Sequence, residues 1–235
     1  MAAVQPVDRR TFLGVLGALG VGALAGSACS STTDGGSAGS QVLAPGGTFS
    51  AAPTAITSVA MVGDSITEGS AETLRATMLA AGVDDVRIDG KASRRIEVGN
   101  GKGDAPKSGI IAVYELLAEG VDPSAWVIEL GTNDVGGYSS AEEYGALIDK
   151  IVEMLPASKP LVWVNTYREQ YLDDTLMFNL VLEERMKARG HAVVADWYSV
   201  ASAPDQTVLQ GDRLHPNENG QSALSLLVVA ALQQL

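Results

Sequence analysis

From residue 56 onward, short apolar runs alternate with longer amphipathic stretches, and few folds accommodate that order. Apolar runs at 56–62, 86–88, 126–130, 161–165 and 192–195 predict buried strands. Stretches with helical spacing at 70–81, 109–118, 141–155, 172–188 and 221–232 predict helices, with boundaries good to about 2–4 residues. Strands and helices in strict alternation join through right-handed βαβ crossovers into a parallel sheet with helices on both faces. The expected class is α/β, built on a central parallel sheet of about five strands. No internal repeat interrupts the pattern, and the last helix is too short to span a bilayer.

The residues before this block are of other kinds. Residues 1–29 resemble an export signal: Asp8-Arg9-Arg10-Thr11-Phe12-Leu13 is similar to a twin-arginine motif, and a Gly/Ala/Leu/Val-rich run follows to Ala28. The run ends in Ala25-Gly26-Ser27-Ala28-Cys29, which resembles a lipoprotein cleavage site with Cys29 as the acylated residue. Gly26 departs from that pattern, which usually carries Leu there, and a simple signal peptide cut nearby is the alternative. Residues 30–54 are rich in Ser, Gly, Thr, Ala and Pro without periodicity, the composition of a flexible tether. This leaves 55–235, the size of one domain with a full core. Cys29 is the only cysteine, so the fold has no intramolecular disulfide and no cysteine zinc site to rely on.

Charge excludes one class of partner. The chain carries a formal −12, and removing Asp8, Arg9 and Arg10 with residues 1–29 leaves −13. Sequence-independent nucleic-acid binding relies on Lys and Arg against phosphates, so it is not expected here. A solvated acidic surface is the ordinary reading.

In open α/β sheets, ligands bind outside the carboxyl ends of the strands, so the polar residues just past each strand are the candidates. After the first strand, Gly63-Asp64-Ser65 passes into a helix. A serine there can expose its hydroxyl beside backbone N–H groups, where developing negative charge is favoured. Read alone, the same tripeptide is a turn with capping residues. Further candidates are Asp89 to Arg95, Gly131-Thr132-Asn133-Asp134, and Gly211-Asp212-Arg213-Leu214-His215-Pro216.

The chain's two histidines separate on this test. His191 opens the fifth strand, at the amino edge and away from any site. His215 lies in a polar loop before the last helix and is the candidate base for Ser65. Asp212, three residues earlier, can orient its ring. Without Ser65, the Asp212 to Gly220 segment reads as a turn and a helix cap. The Asn133 amide can donate to an oxyanion, although Gly-Thr-Asn-Asp by itself also reads as a turn.

Taken together, Gly63-Asp64-Ser65-Ile66, Gly131-Thr132-Asn133-Asp134 and Asp212-Arg213-Leu214-His215 resemble the blocks of the SGNH (GDSL-type) serine hydrolases, in the family's order. The resemblance implies a three-layer α/β/α, flavodoxin-like fold with Ser65 as nucleophile, His215 as base and Asp212 orienting it. It implies an oxyanion hole shared by the Ser65 N–H, Asn133 and a residue of the second block. That residue is normally a glycine; the best-placed residue here is Ser93, which retains the donor only if its backbone suits a Cβ.

The expected protein is an exported esterase working through an acyl-enzyme, with no metal and no cofactor. Its partner would be an acylated carbohydrate or small ester, with a cell-envelope glycan favoured by export and tethering. Few aromatics and no evident lid argue against a long-chain lipase. The membrane enters only through a lipid anchor at Cys29. An O-acyltransferase using the same acyl-enzyme and a non-catalytic binding lipoprotein are the alternatives. Finally, residues 91–107 carry a local +3. Arg94 and Arg95 are therefore candidates to bind an anionic substrate, or else to pair with Glu68, Asp89 or another acid and brace the loop.

Overall fold

Five apolar runs form five parallel strands in the order β2-β1-β3-β4-β5. The computed structural model describes residues 55–235; the expectations for residues 1–29, Cys29 included, and for 30–54 lie outside the described residues. The strands are β1 (Ser58–Gly63), β2 (Asp85–Gly90), β3 (Ala125–Glu129), β4 (Leu161–Val164) and β5 (Ala192–Ala195). The helices are α1 (Ser65–Ala80), α2 (Gly109–Ala118), α3 (Ala141–Val152), α4 (Leu172–Arg189), α5 (Trp197–Ala201) and α6 (Glu218–Leu232). A 3-10 turn, Glu169–Tyr171, leads into α4. Among the described residues, no helix is long and apolar enough to cross a membrane.

Side chains alternate across each strand, so one sheet feeds two cores. Ala60, Val62, Trp126, Ile128, Leu161 and Trp163 face α2, α3 and α4, where they meet Val113, Ile148 and Phe178. Val59, Met61, Val127, Val162 and Val164 face α1, α5 and α6, against Leu74, Trp197, Leu224 and Val228. The result is the three-layer α/β/α arrangement expected from the sequence. Strands buried on both faces explain why the runs read as continuously apolar rather than alternating.

The order of strands matters for function. From β1 the chain moves outward to β2 and then crosses to β3 on the other side, so β1 and β3 are neighbours. Their carboxyl ends form the switch point where open α/β sheets bind ligands. Ser65 follows β1 there, and Asn133 follows β3.

Two boundaries differ from expectation for a stated reason. Helix α1 begins at Ser65 rather than at residue 70, because the Asp64 side chain accepts from Ile66 N–H and caps it. Helix α6 begins at Glu218, capped by Asn217 through Gly220 N–H. Helix α5 and the 3-10 turn are too short to carry a period and are additions to the expected elements.

Candidate active site

The Ser65 turn is held from both sides. A Cβ on Gly63 would fall on Thr67 Oγ1, and one on Gly90 would fall on the Glu68 backbone, so both strands need glycine to let α1 start this close. Glu129, buried at the end of β3, accepts from Thr67 Oγ1 at 2.8 Å, Thr67 N at 3.2 Å and Asp64 N at 3.4 Å. Ile66 N donates to Asp64 Oδ1 at 2.9 Å, and Glu68 N to Asp64 O at 2.9 Å. In the first turn of α1 this leaves Ser65 N–H as the donor without a protein acceptor among the described residues. It points out of the positive end of the helix, beside its own hydroxyl.

His215 Nε2 lies 2.9 Å from Ser65 Oγ, and His215 Nδ1 lies 2.6 Å from Asp212 Oδ2. A carboxylate only accepts, so Nδ1 carries the proton and Nε2 turns its lone pair to the serine hydroxyl. The other Asp212 oxygen accepts from Leu214 N at 3.0 Å and His215 N at 3.1 Å, which fixes loop and ring through one side chain. The hydrogen bond from His215, with the two N–H groups, holds the Asp212 carboxyl below its ordinary value against a smaller desolvation effect. The tight turn places Arg213 at φ +58. His191 is exposed and precedes β5 at the amino edge, remote from this constellation.

Asn133 Nδ2 donates to Asp64 Oδ2 and to Arg94 O, both at 3.1 Å. Its two amide protons are therefore occupied, and turning one to an oxyanion means giving up the Arg94 carbonyl. Ser93 adopts φ +60, the left-handed region that a glycine occupies without cost. Its N–H has no protein acceptor among the described residues. Serine therefore keeps the glycine-like backbone at this position.

For the two arginines the contacts favour the second of the two expected readings, pairing with acids and bracing the loop. Arg94 is 3% exposed and faces inward. It donates to Gly63 O at 3.0 Å, Asp89 O at 2.6 Å, Lys107 O at 3.1 Å and Asp89 Oδ1 at 2.9 Å. With so many internal acceptors it braces the loop after β2 and does not present its fork to a substrate. Arg95 pairs with buried Asp134 at 3.3 Å, 5.9 Å from the Tyr138 ring centre. Lys91 pairs with Glu68 and Lys107 with Glu115, so acids already answer most of the local positive charge.

Sequence reasoning missed Glu129 and gave no role to Asp64 and Asp134, the acids beneath the site. Burial pushes the Asp64 carboxyl up to about 6, opposed by the Ile66 N–H. It also pushes Asp134 up to about 6, opposed by Ile96 N–H and Arg95. Glu129 is raised well above its usual range by burial and by the Asp64 charge. A lone carboxylate closing the apolar run 126–130 was the signal available for Glu129.

A serine, an imidazole and a carboxylate joined in this order are the constellation of a serine hydrolase, here built at a parallel-sheet switch point. The chain belongs to the GDSL-like lipase/acylhydrolase family, whose profile matches residues 61–223, and is an ester-hydrolysing serine hydrolase. No curated protein matches the sequence significantly. Among solved structures, it resembles the catalytic domain of Streptococcus pneumoniae peptidoglycan O-acetyltransferase A. That match has 19% identity and a TM-score of 0.59, over 77% of this chain and 95% of that one. A Clostridium thermocellum family 3 carbohydrate esterase matches at 16% identity and TM-score 0.58, over 76% of this chain and 96% of that one. The esterase EstA from a Pseudoalteromonas species matches at 17% and 0.55, over 76% and 97%. At these identities the likeness concerns the fold.

Proposed function

We propose that this protein is an exported esterase that removes short O-acyl groups from a cell-envelope glycan through an acyl-enzyme on Ser65. The observation that carries the reading is the chain of contacts from Ser65 Oγ through His215 to Asp212, at 2.9 and 2.6 Å. Ser65 Oγ attacks the ester carbonyl while its proton passes to His215 Nε2, and Asp212 stabilises the imidazolium. The oxyanion is received by the Ser65 and Ser93 N–H groups and by one proton of Asn133; a preorganised donor of this kind is worth about 10²–10³ in rate. His215 then returns the proton to the departing sugar alkoxide. In the second half, water gives its proton to His215, attacks the acyl carbonyl and releases the acid, restoring Ser65.

The glycan assignment draws on a twin-arginine, lipoprotein-like start and on fold likeness to proteins described as a carbohydrate esterase and a peptidoglycan O-acetyltransferase. The same likeness supports transfer to a sugar hydroxyl as the second reading. Incubating residues 55–235 with short aryl esters and O-acetylated glycans, with and without a sugar acceptor, tests both. Free acid released from a glycan supports the esterase. An acceptor-dependent acylated sugar as the main product supports the transferase, and no turnover of any ester contradicts both.

A further inference from the structure

The loop beyond β4 holds an arginine that the proposed chemistry does not use and whose guanidinium the fold occupies at one nitrogen. Arg168 lies four residues past β4, at the same sheet edge as Ser65. Its Nη1 donates to Thr132 O at 2.9 Å, next in sequence to Asn133, and its guanidinium carbon sits 4.8 Å from the Tyr171 ring centre. The next residue, Glu169, binds Arg213 at 2.6 Å within the Asp212–His215 turn. Residues 168 and 169 thus bridge the Asn133 side of the site and the His215 side.

At this edge Arg94 is paired with Asp89, Arg95 with Asp134 and Arg213 with Glu169. Arg168 has no carboxylate within 4.0 Å among the described residues, although Asp173 and Asp174 stand in the first turn of α4. Beyond Nη1, its guanidinium donors have no protein acceptor among those residues. It is half-buried, set over an aromatic ring and anchored at one nitrogen, in a chain of net charge −12. The ring contact and one anchoring bond restrain the guanidinium while leaving donors for two oxygens of one anion.

We propose that Arg168 is the anion-recognition residue of the Ser65 site, taking a carboxylate or phosphate carried by the substrate. This rests on the Ser65 reading and moves the anion preference away from Arg94, which is committed internally, and from Arg95, which pairs through Nε with Asp134. The anionic group can belong to the acyl chain or to the sugar that bears it, and paired substrates separate the two sources. One pair is a 4-nitrophenyl acetate and a mono-4-nitrophenyl succinate; the other is an O-acetylated neutral saccharide and an O-acetylated uronate.

The wild type should favour the anionic member of at least one pair. Arg168→Gln should lower the anionic-to-neutral ratio of kcat/KM for that pair at least tenfold, chiefly through KM. Arg168→Lys should retain part of the preference, because it keeps the charge and loses the fork. An NMR titration of the Arg168 Nε–H with succinate and with phosphate needs no turnover and no variant, so it stands even if Ser65 proves not to be the nucleophile. Shifts of that resonance that saturate support the proposal. No anionic preference in either pair, equal losses on charged and neutral esters in Arg168→Gln, or a resonance that neither anion shifts would overturn it.

Discussion

Glu129 shows what a single buried acid does beneath this site. It accepts two N–H groups and one hydroxyl from the residues flanking Ser65, so it fixes the angle at which β1 passes into α1. Its carboxyl is held above the usual range, so the folded protein binds more protons than the unfolded chain as pH rises past ordinary carboxylate values. Asp64 and Asp134, pushed up to about 6, act with the same sign. Asp64 and Asp134 favour the fold most below ordinary carboxylate values and lose that contribution as pH rises through about 6, and Glu129 loses its own as it ionises. Asp212, shifted down, acts in the opposite sense and loses its contribution only as pH falls below ordinary carboxylate values. Glu129→Gln keeps an acceptor for Thr67 and cannot ionise. Its melting temperature relative to wild type should therefore rise as pH increases above the ordinary carboxylate range, and a difference independent of pH would contradict the assignment.

At the same scale, His215→Ala should lower kcat for an aryl acetate by about 10²–10⁴, the ordinary worth of general acid–base catalysis. His191→Ala should leave it within about twofold. A rate assay of the two variants side by side checks the placement, and comparable losses would reverse it. Ser65 and Asn133 were readable because each follows a clear apolar strand, and Asp212 and His215 because they sit in a polar loop just before the last helix. Arg168 was not, and the two readings of Arg94 stayed open, since a loop's wrapping decides which arginine turns inward, and no periodicity encodes that. Glu129 was hidden by the apolar residues around it.

At the scale of elements, periodicity works where an element is long enough to repeat. All five strands and the helices α2, α3 and α4 follow from it, within a turn at their ends. The start of α1 was obscured because Asp64 serves as cap and Ser65 as first helical residue, and both also read as turn residues. Helix α5 escaped notice because its five residues are fixed by one side chain. Asp196 accepts from Ser199 N at 3.1 Å, Ser199 Oγ at 2.6 Å and Asn165 Nδ2 at 2.9 Å. Asp196→Ala should therefore cost about 0.5–2 kcal/mol, the range for losing a helix cap. At roughly 2–4 °C per kcal/mol for a domain of this size, calorimetry should resolve the drop. An unchanged melting temperature would mean that α5 is held by Trp197 packing alone.

At the scale of the whole molecule, a nucleophile turn, an oxyanion turn and a base loop come from the start, middle and end of one domain, and the 2-1-3-4-5 strand order brings them together. Export by way of residues 1–29 is a separate proposal, resting on their resemblance to a twin-arginine, lipoprotein-like signal. Arg9→Lys with Arg10→Lys should leave the protein in the cytoplasm, and Cys29→Ser should stop processing or release it from membranes. Cell fractionation reads both outcomes; export that survives the double lysine change would contradict the twin-arginine route. The central claim, that Ser65 becomes covalently acylated, has the most direct check of all. Residues 55–235 should be treated with a fluorophosphonate and the labelled peptide mapped by mass spectrometry. One equivalent on Ser65, abolished in a folded Ser65→Ala variant and strongly slowed in His215→Ala, is the predicted result. An active enzyme that takes no label on Ser65, or keeps its esterase activity in Ser65→Ala, would contradict the account.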